Sequence, residues 1–259
     1  MNFADIGLVV YIGIIIISST YFLYQFRQAL CSGEYRESLA PPLLLSLSDF
    51  FLYLVGFALC YWYAQEWLIV YSLGSIVLIM LLRGIQPLSF WKLEAGQVPS
   101  YFLKGSQAYL TIFIPLTLLT VVCSMLFSLF GFEDLAQPAV QMLLDAKDLK
   151  TIAAFLFSAC VVAPLWEEIT FRGFLYPFLK SRCGNMAALT ISSLLFAAMH
   201  QHPPSFIPLT LLGLGLGLIY DRTGSLGYSI FFHGVFNAAT CLVLLFIKYG
   251  SHPEWAHSM

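Results

Sequence analysis

Long apolar blocks separated by short polar connections make up almost the whole chain. They fall at about 6–24, 43–63, 68–82, 109–130, from about 151, and at 186–200, 206–220 and 228–247. A bilayer-spanning helix needs roughly 20 such residues, so the pattern predicts about eight spans and an all-α, polytopic membrane bundle. Two longer connections interrupt it. Residues 83–107 hold Phe90, Trp91, Lys92, Tyr101, Phe102 and Lys104, a mixture suited to the membrane interface. Residues 133–150 are acidic, with an apolar pattern at helical spacing over 139–144. They predict a short helix on the membrane or over a site entrance.

Local signals refine these blocks. Pro164 should interrupt the fifth, because it lacks the N–H that a helix interior needs. Gly213, Gly215 and Gly217 form a small-residue stripe that lets helices approach closely. Asp49, near the start of the second block, reads as a helix-entry or interface carboxylate, with no histidine or second acid near it. The N-terminus lacks the basic start of a signal peptide, and its apolar run is too long for one, so residues 6–24 read as an uncleaved span. No C-a-a-X box closes the chain.

Composition agrees with the pattern. Hydrophobic residues make up 59% of the 259 and charged residues 10%, against about 45–50% and 25% in soluble domains. Mean hydropathy is +0.83. A net charge of −2 without a basic run gives no sign of a nucleic-acid partner; the partners expected are membrane lipid and a peptide or protein substrate. Cys31, Cys60, Cys123, Cys160, Cys183 and Cys241 stand singly, which supports neither a zinc knuckle nor a disulfide framework. Lys and Arg place the N-terminus outside. Arg27, Arg36, Arg83, Lys92, Lys104, Lys180, Arg182 and Arg222 then lie inside, against Lys147, Lys150 and Lys248 outside.

Against this background three polar insertions stand out. Glu167, Glu168 and Arg172 lie within one apolar run, His200 closes the sixth block, and His233 and Asn237 sit in the eighth. Charge at membrane depth is costly and is kept where it is paired, faces a wet cavity or does chemistry. Glu168 and Arg172, four apart, share a helix face and can pair. Glu167, rotated about 100° from its neighbour, would project into a cavity as a general base. His233 and Asn237 also share a face and can both donate to a developing oxyanion. Alternatively Glu167, His200 and His233 could ligate a metal such as zinc that activates water, although the His-Glu-x-x-His signature is absent.

Each piece alone has a plainer reading: a structural ion pair, an interfacial histidine, and interhelical hydrogen-bond glue. Their joint occurrence within about 70 residues favours a shared site. His202 reads as a loop residue in a supporting role, and His252 and His257 belong to the polar tail.

Glu167-Glu168-x-x-x-Arg172, then Phe196-x-x-x-His200, then His233-x-x-x-Asn237 resemble the three motifs of the CPBP family. These are the CAAX-protease and bacteriocin-processing intramembrane endopeptidases, also called the Abi family. The resemblance covers residues 151–247; it leaves 1–150 as an N-terminal transmembrane region and 248–259 as a polar tail. It implies a helical membrane fold with a buried polar cavity open to the cytosol, where a peptide bond is hydrolysed. Glu167 would activate water with help from His200, and His233 and Asn237 would stabilise the oxyanion. Glu168 and Arg172 would orient the site and balance its charge. The favoured mechanism requires no cofactor; a metal mechanism would use the same residues. The expected place is the plasma membrane of a prokaryote. The competing readings are an immunity-type membrane binder that grips a partner with the same cluster, and a proton- or ion-coupled transporter. The transporter is disfavoured by the lack of repeats.

Overall fold

The computed structural model describes residues 39–131 and 136–250. Eight helices dominate them: α1 Leu47–Tyr63, α2 Leu68–Leu82, α3 Val98–Leu129, α4 Pro138–Asp145, α5 Leu149–Cys183, α6 Asn185–Met199, α7 Phe206–Thr223 and α8 Leu226–Gly250. Four segments, ending in or formed by α3, α5, α7 and α8, are long and apolar enough to cross a membrane. The helices α1, α2 and α6 are apolar but shorter, at 17, 15 and 15 residues. Seven of the eight expected blocks are thus helices, four of them of spanning length. The block at 6–24 lies outside the described residues, as do His252 and His257.

Leu129 and Phe246 are 80% and 79% exposed, as lipid-facing side chains should be in a bundle whose backbone bonds are satisfied internally. The connection at 83–107 is more ordered than the sequence suggested. Its second half is the first turns of α3, because Tyr101 and Gly105 pack inward. Asp49 is the helix-entry carboxylate expected: it forms a capping box with Ser46 and an ion pair of 2.7 Å with Arg83.

α5 is shaped by two prolines. A π-turn at Ser158–Val162 precedes Pro164, and a second at Phe171–Leu175 precedes Pro177. Each π-turn and each proline leaves a backbone carbonyl without its usual helical donor. Other parts of the chain supply replacements. Ala163 N–H bonds to Ser158 instead of Ala159, and the Ala159 carbonyl accepts from Asn237 Nδ2 at 2.7 Å. Pro177 cannot donate to Gly173, whose carbonyl accepts from Trp91 Nε1 at 3.0 Å. The bend expected at Pro164 is therefore an extra-wide turn, stitched to α8.

Close approaches set the remaining seams. The glycine stripe works as expected: a Cβ on Gly213 would stand 3.0 Å from Ser193 Cβ, so α6 and α7 meet there. The α3–α8 seam depends on Gly105, where a Cβ would come within 2.8 Å of the Phe232 backbone nitrogen. The largest buried cluster draws on both sides of residue 150, from Ala40 and Tyr53 to Tyr220 and Leu226. At one end of the bundle Asp221 accepts from Tyr176 at 2.5 Å and Asn185 at 3.0 Å and pairs with Lys180 at 3.5 Å. Its backbone carbonyl accepts from Leu39 N–H at 2.8 Å. The extended segment that leads into α1 is thereby strapped across the ends of α5 and α7.

Gly105→Ala should lower the thermal stability of the detergent-solubilised protein by about 1–3 kcal/mol, because backbone rather than a flexible side chain must move. Gly74→Ala in α2, which meets nothing within 4 Å, should be neutral or stabilising. Equal melting temperatures for the two variants would contradict this account of the seam.

Candidate active site

The site is built outward from Glu168. Its side chain is completely buried, and Arg172, one turn along α5, donates to Glu168 Oε1 at 2.9 Å. Ser229 on α8 donates to the other oxygen, and His233 Nδ1 lies 2.9 Å from Oε1. The second Arg172 nitrogen donates to the Gly213 carbonyl of α7 at 2.9 Å, and the guanidinium lies 4.5 Å from the centre of the Phe196 ring of α6. One pair therefore joins four helices. Gly213 serves twice, since the close α6–α7 approach brings its carbonyl to the guanidinium.

Glu167 turns away from this pair into the gap between α6 and α8. Its Oε2 stands 3.9 Å from His200 Nε2 and 3.9 Å from His233 Nε2. That oxygen is buried and has no hydrogen-bond partner. The side chain of Glu167 is 14% exposed, against 26% for His200 and 3% for His233.

The partners of the imidazoles decide their protonation. His200 Nδ1 lies 2.9 Å from the Phe196 carbonyl, which can only accept. His233 Nδ1 faces a carboxylate oxygen that also accepts from Arg172. Both Nδ1 atoms are thus placed to donate, and each ring turns its Nε2 toward Glu167.

Five of the six sequence-selected residues thus meet: Glu167, Glu168, Arg172, His200 and His233. Asn237, one turn beyond His233, is joined to α5 through Ala159, and its second amide hydrogen remains for another acceptor. His202 sits in the loop after α6, with Nδ1 2.8 Å from Ser205 Oγ. Ser229 was missed, although a signal existed: Ser229, His233 and Asn237 form a polar stripe at intervals of four on α8. Nothing in the sequence announces the Gly213 carbonyl.

The donor types of Glu167, His200 and His233 would suit zinc, but tetrahedral zinc holds its ligands about 3.3 Å apart. The two spacings here are 3.9 Å, and no group of three among the described residues is arranged to hold a metal ion. As placed, the three do not fit a metal.

Comparison with known proteins agrees with the geometry. Residues 149–239, which contain all six candidate residues, match the family model described as type II CAAX prenyl endopeptidase Rce1-like. This region resembles the Rce1-like family. It carries the motifs that resemble the CPBP family, and the family to which it is similar is one of CAAX-type membrane proteases.

Three curated relatives resemble the chain. The "UPF0177 protein in abiGi 5'region" of Lactococcus lactis subsp. cremoris is 39% identical over 85 residues, 32% of this chain and 35% of the relative. The "UPF0177 protein YaiH" of Lactococcus lactis subsp. lactis is 35% identical over 92 residues, 35% of this chain and 38% of the relative. The Bacillus subtilis protein named "Putative membrane peptidase YdiL" is 24% identical over 179 residues, 69% of this chain and 71% of the relative. The chain thus spans little more than a third of the two lactococcal relatives. No solved structure matches it.

The two glutamates should respond oppositely to substitution. Glu168→Ala leaves Arg172 charged in a dry interior and should cost about 3–5 kcal/mol of stability. Glu167→Gln should leave the melting temperature unchanged or raised, because an amide can donate to a waiting imidazole nitrogen. Thermal unfolding of both variants in one detergent checks this contrast.

Proposed function

We propose that this protein is an intramembrane endopeptidase that hydrolyses a peptide bond in a membrane-associated or hydrophobic peptide, with Glu167 as general base. The convergence of both histidine Nε2 atoms on the unpartnered Glu167 oxygen carries this reading. A separation of 3.9 Å is too long for a direct hydrogen bond. It suits a water about 2.8 Å from each of two atoms. Such a water gives one hydrogen to Glu167 and the other to His200, and its free lone pair faces the substrate carbonyl carbon.

In this reading His233 acts as an imidazolium, which Glu168 stabilises as the acid does in a triad. The His233 Nε2–H and the second Asn237 amide hydrogen then donate to the carbonyl oxygen as it becomes an oxyanion. The proton taken by Glu167 passes to the departing nitrogen as the C–N bond breaks, leaving a carboxylic acid and an amine; the acid then gives its proton to the amine, so that carboxylate and ammonium leave and Glu167 is again ionised. No step in this reading uses a metal. We place the protein in the plasma membrane of a prokaryote with the site open to the cytosol. Three bacterial relatives support the location, and Lys92, Lys180 and Arg222, gathered near Asp221 and Gly224, support the orientation.

The test uses purified protein in lipid vesicles and two internally quenched peptides: an apolar peptide and one with a prenylated C-a-a-X end. One or both should be cut. Glu167→Gln should reduce the rate by about 10³-fold or more at unchanged protein yield, and a chelator should leave the rate within about twofold. Undiminished cleavage by Glu167→Gln would remove Glu167 from the central role. Loss of all activity on chelation, restored by zinc, would replace the metal-free mechanism.

A further inference from the structure

The imidazole of His200 hangs from the C-cap of α6, where a helix end tends to fray. Its Nδ1 bond to Phe196 lies within the same turn and cannot hold that turn against the rest of the bundle. The residue that follows is unusual. Gln201 sits at the position beyond the cap with φ +50°, in the left-handed region, and its N–H bonds to the Ala198 carbonyl. Glycine or asparagine ordinarily fills that place, and α7 ends conventionally at Gly224 with φ +67°. A glutamine held there calls for a use of its side chain, and one is present. Gln201 Nε2 donates to the Tyr61 hydroxyl of α1. The far end of the same loop is tied as well, since Gln137 donates to Ser205 Oγ at 2.8 Å.

We propose that Gln201 and Tyr61 form a latch that positions His200 against Glu167, so that α1, outside the Rce1-like region, completes the site. This inference rests on the peptidase reading for its kinetic consequences and on the geometry alone for its mechanical ones. Both are positioning residues, since they act through His200 and touch no reacting atom. The latch holds the imidazole that accepts from the water; the imidazole that donates to the oxyanion is held by Glu168. Release would impair catalysis more than substrate binding.

The experiment compares Tyr61→Phe, Gln201→Gly, Gln201→Glu and the double variant Tyr61→Phe/Gln201→Gly in vesicles, with the peptide that wild type cleaves. Gln201→Gly removes the latch while suiting the left-handed backbone, so its melting temperature should be unchanged or raised. Tyr61→Phe and Gln201→Gly should each lower kcat about tenfold, with KM within about twofold. The double variant should be no worse than the worse single, because both remove one interaction. Gln201→Glu, which keeps the reach and accepts from the tyrosine hydroxyl, should retain most of the wild-type kcat.

A second readout needs no activity. Carbethoxylation of His200 by diethyl pyrocarbonate, followed by mass spectrometry, should become several-fold faster in Gln201→Gly and Tyr61→Phe, with His233 unchanged. Wild-type kcat and wild-type labelling in both single variants would overturn the latch, as would losses that multiply in the double variant. If wild type cleaves neither peptide but the labelling contrast holds, the peptidase reading fails and the positioning of His200 stands. If Glu167→Gln is inactive while both latch variants match wild type, the latch alone fails.

Discussion

A fully buried ion pair between Glu168 and Arg172 is the constraint on which this structure turns. Removing both charges from water costs several kcal/mol per ion, and their mutual attraction offsets that only when every remaining donor and lone pair is also satisfied. Here the further partners come from separate helices: Ser229 and His233 on α8, the Gly213 carbonyl on α7 and the ring of Phe196 on α6. A slip of any of these by one turn would leave a bare charge in a dry interior. The pair therefore acts less as a source of stability than as a specification of how four helices must sit.

The proposed chemistry follows from the same arrangement. Because Glu168 fixes His233 through Nδ1, the opposite ring nitrogen has one place to point, toward Glu167. Because Arg172 pairs with only one carboxylate, the other keeps its oxygen without a hydrogen-bond partner. Adjacent glutamates thus acquire different duties from their angular separation on the helix alone. The irregularity of α5 serves this division. Its π-turns release carbonyls that α8 and Trp91 bind, so the segment carrying both acids is held at each end by bonds an ordinary helix could not make.

Much of this was readable along the chain. Apolar blocks marked seven of the described helices within a few residues at most ends, since burial in lipid demands long unbroken apolar runs. The intervals of four in Glu168–Arg172 and His233–Asn237 announced shared faces, and intramembrane charge announced a site. The start of α3 was not readable, because an interfacial sequence and the first turns of a long membrane helix have the same composition. Nor was the tie between Asp221, Tyr176 and Asn185, which are unremarkable singly and meaningful only once three helix ends adjoin.

By itself, then, the sequence determined that this is a helical membrane protein and which polar side chains are candidates for chemistry, because both follow from local periodicity and the cost of charge in an apolar medium. Tertiary structure decided what those side chains are to one another: which acid is paired and which is open, which nitrogen of each imidazole faces the gap, and that Asn237 also serves the backbone of α5. Those distinctions depend on distances between residues far apart in the chain and on backbone carbonyls, which every residue carries alike and no sequence pattern can single out.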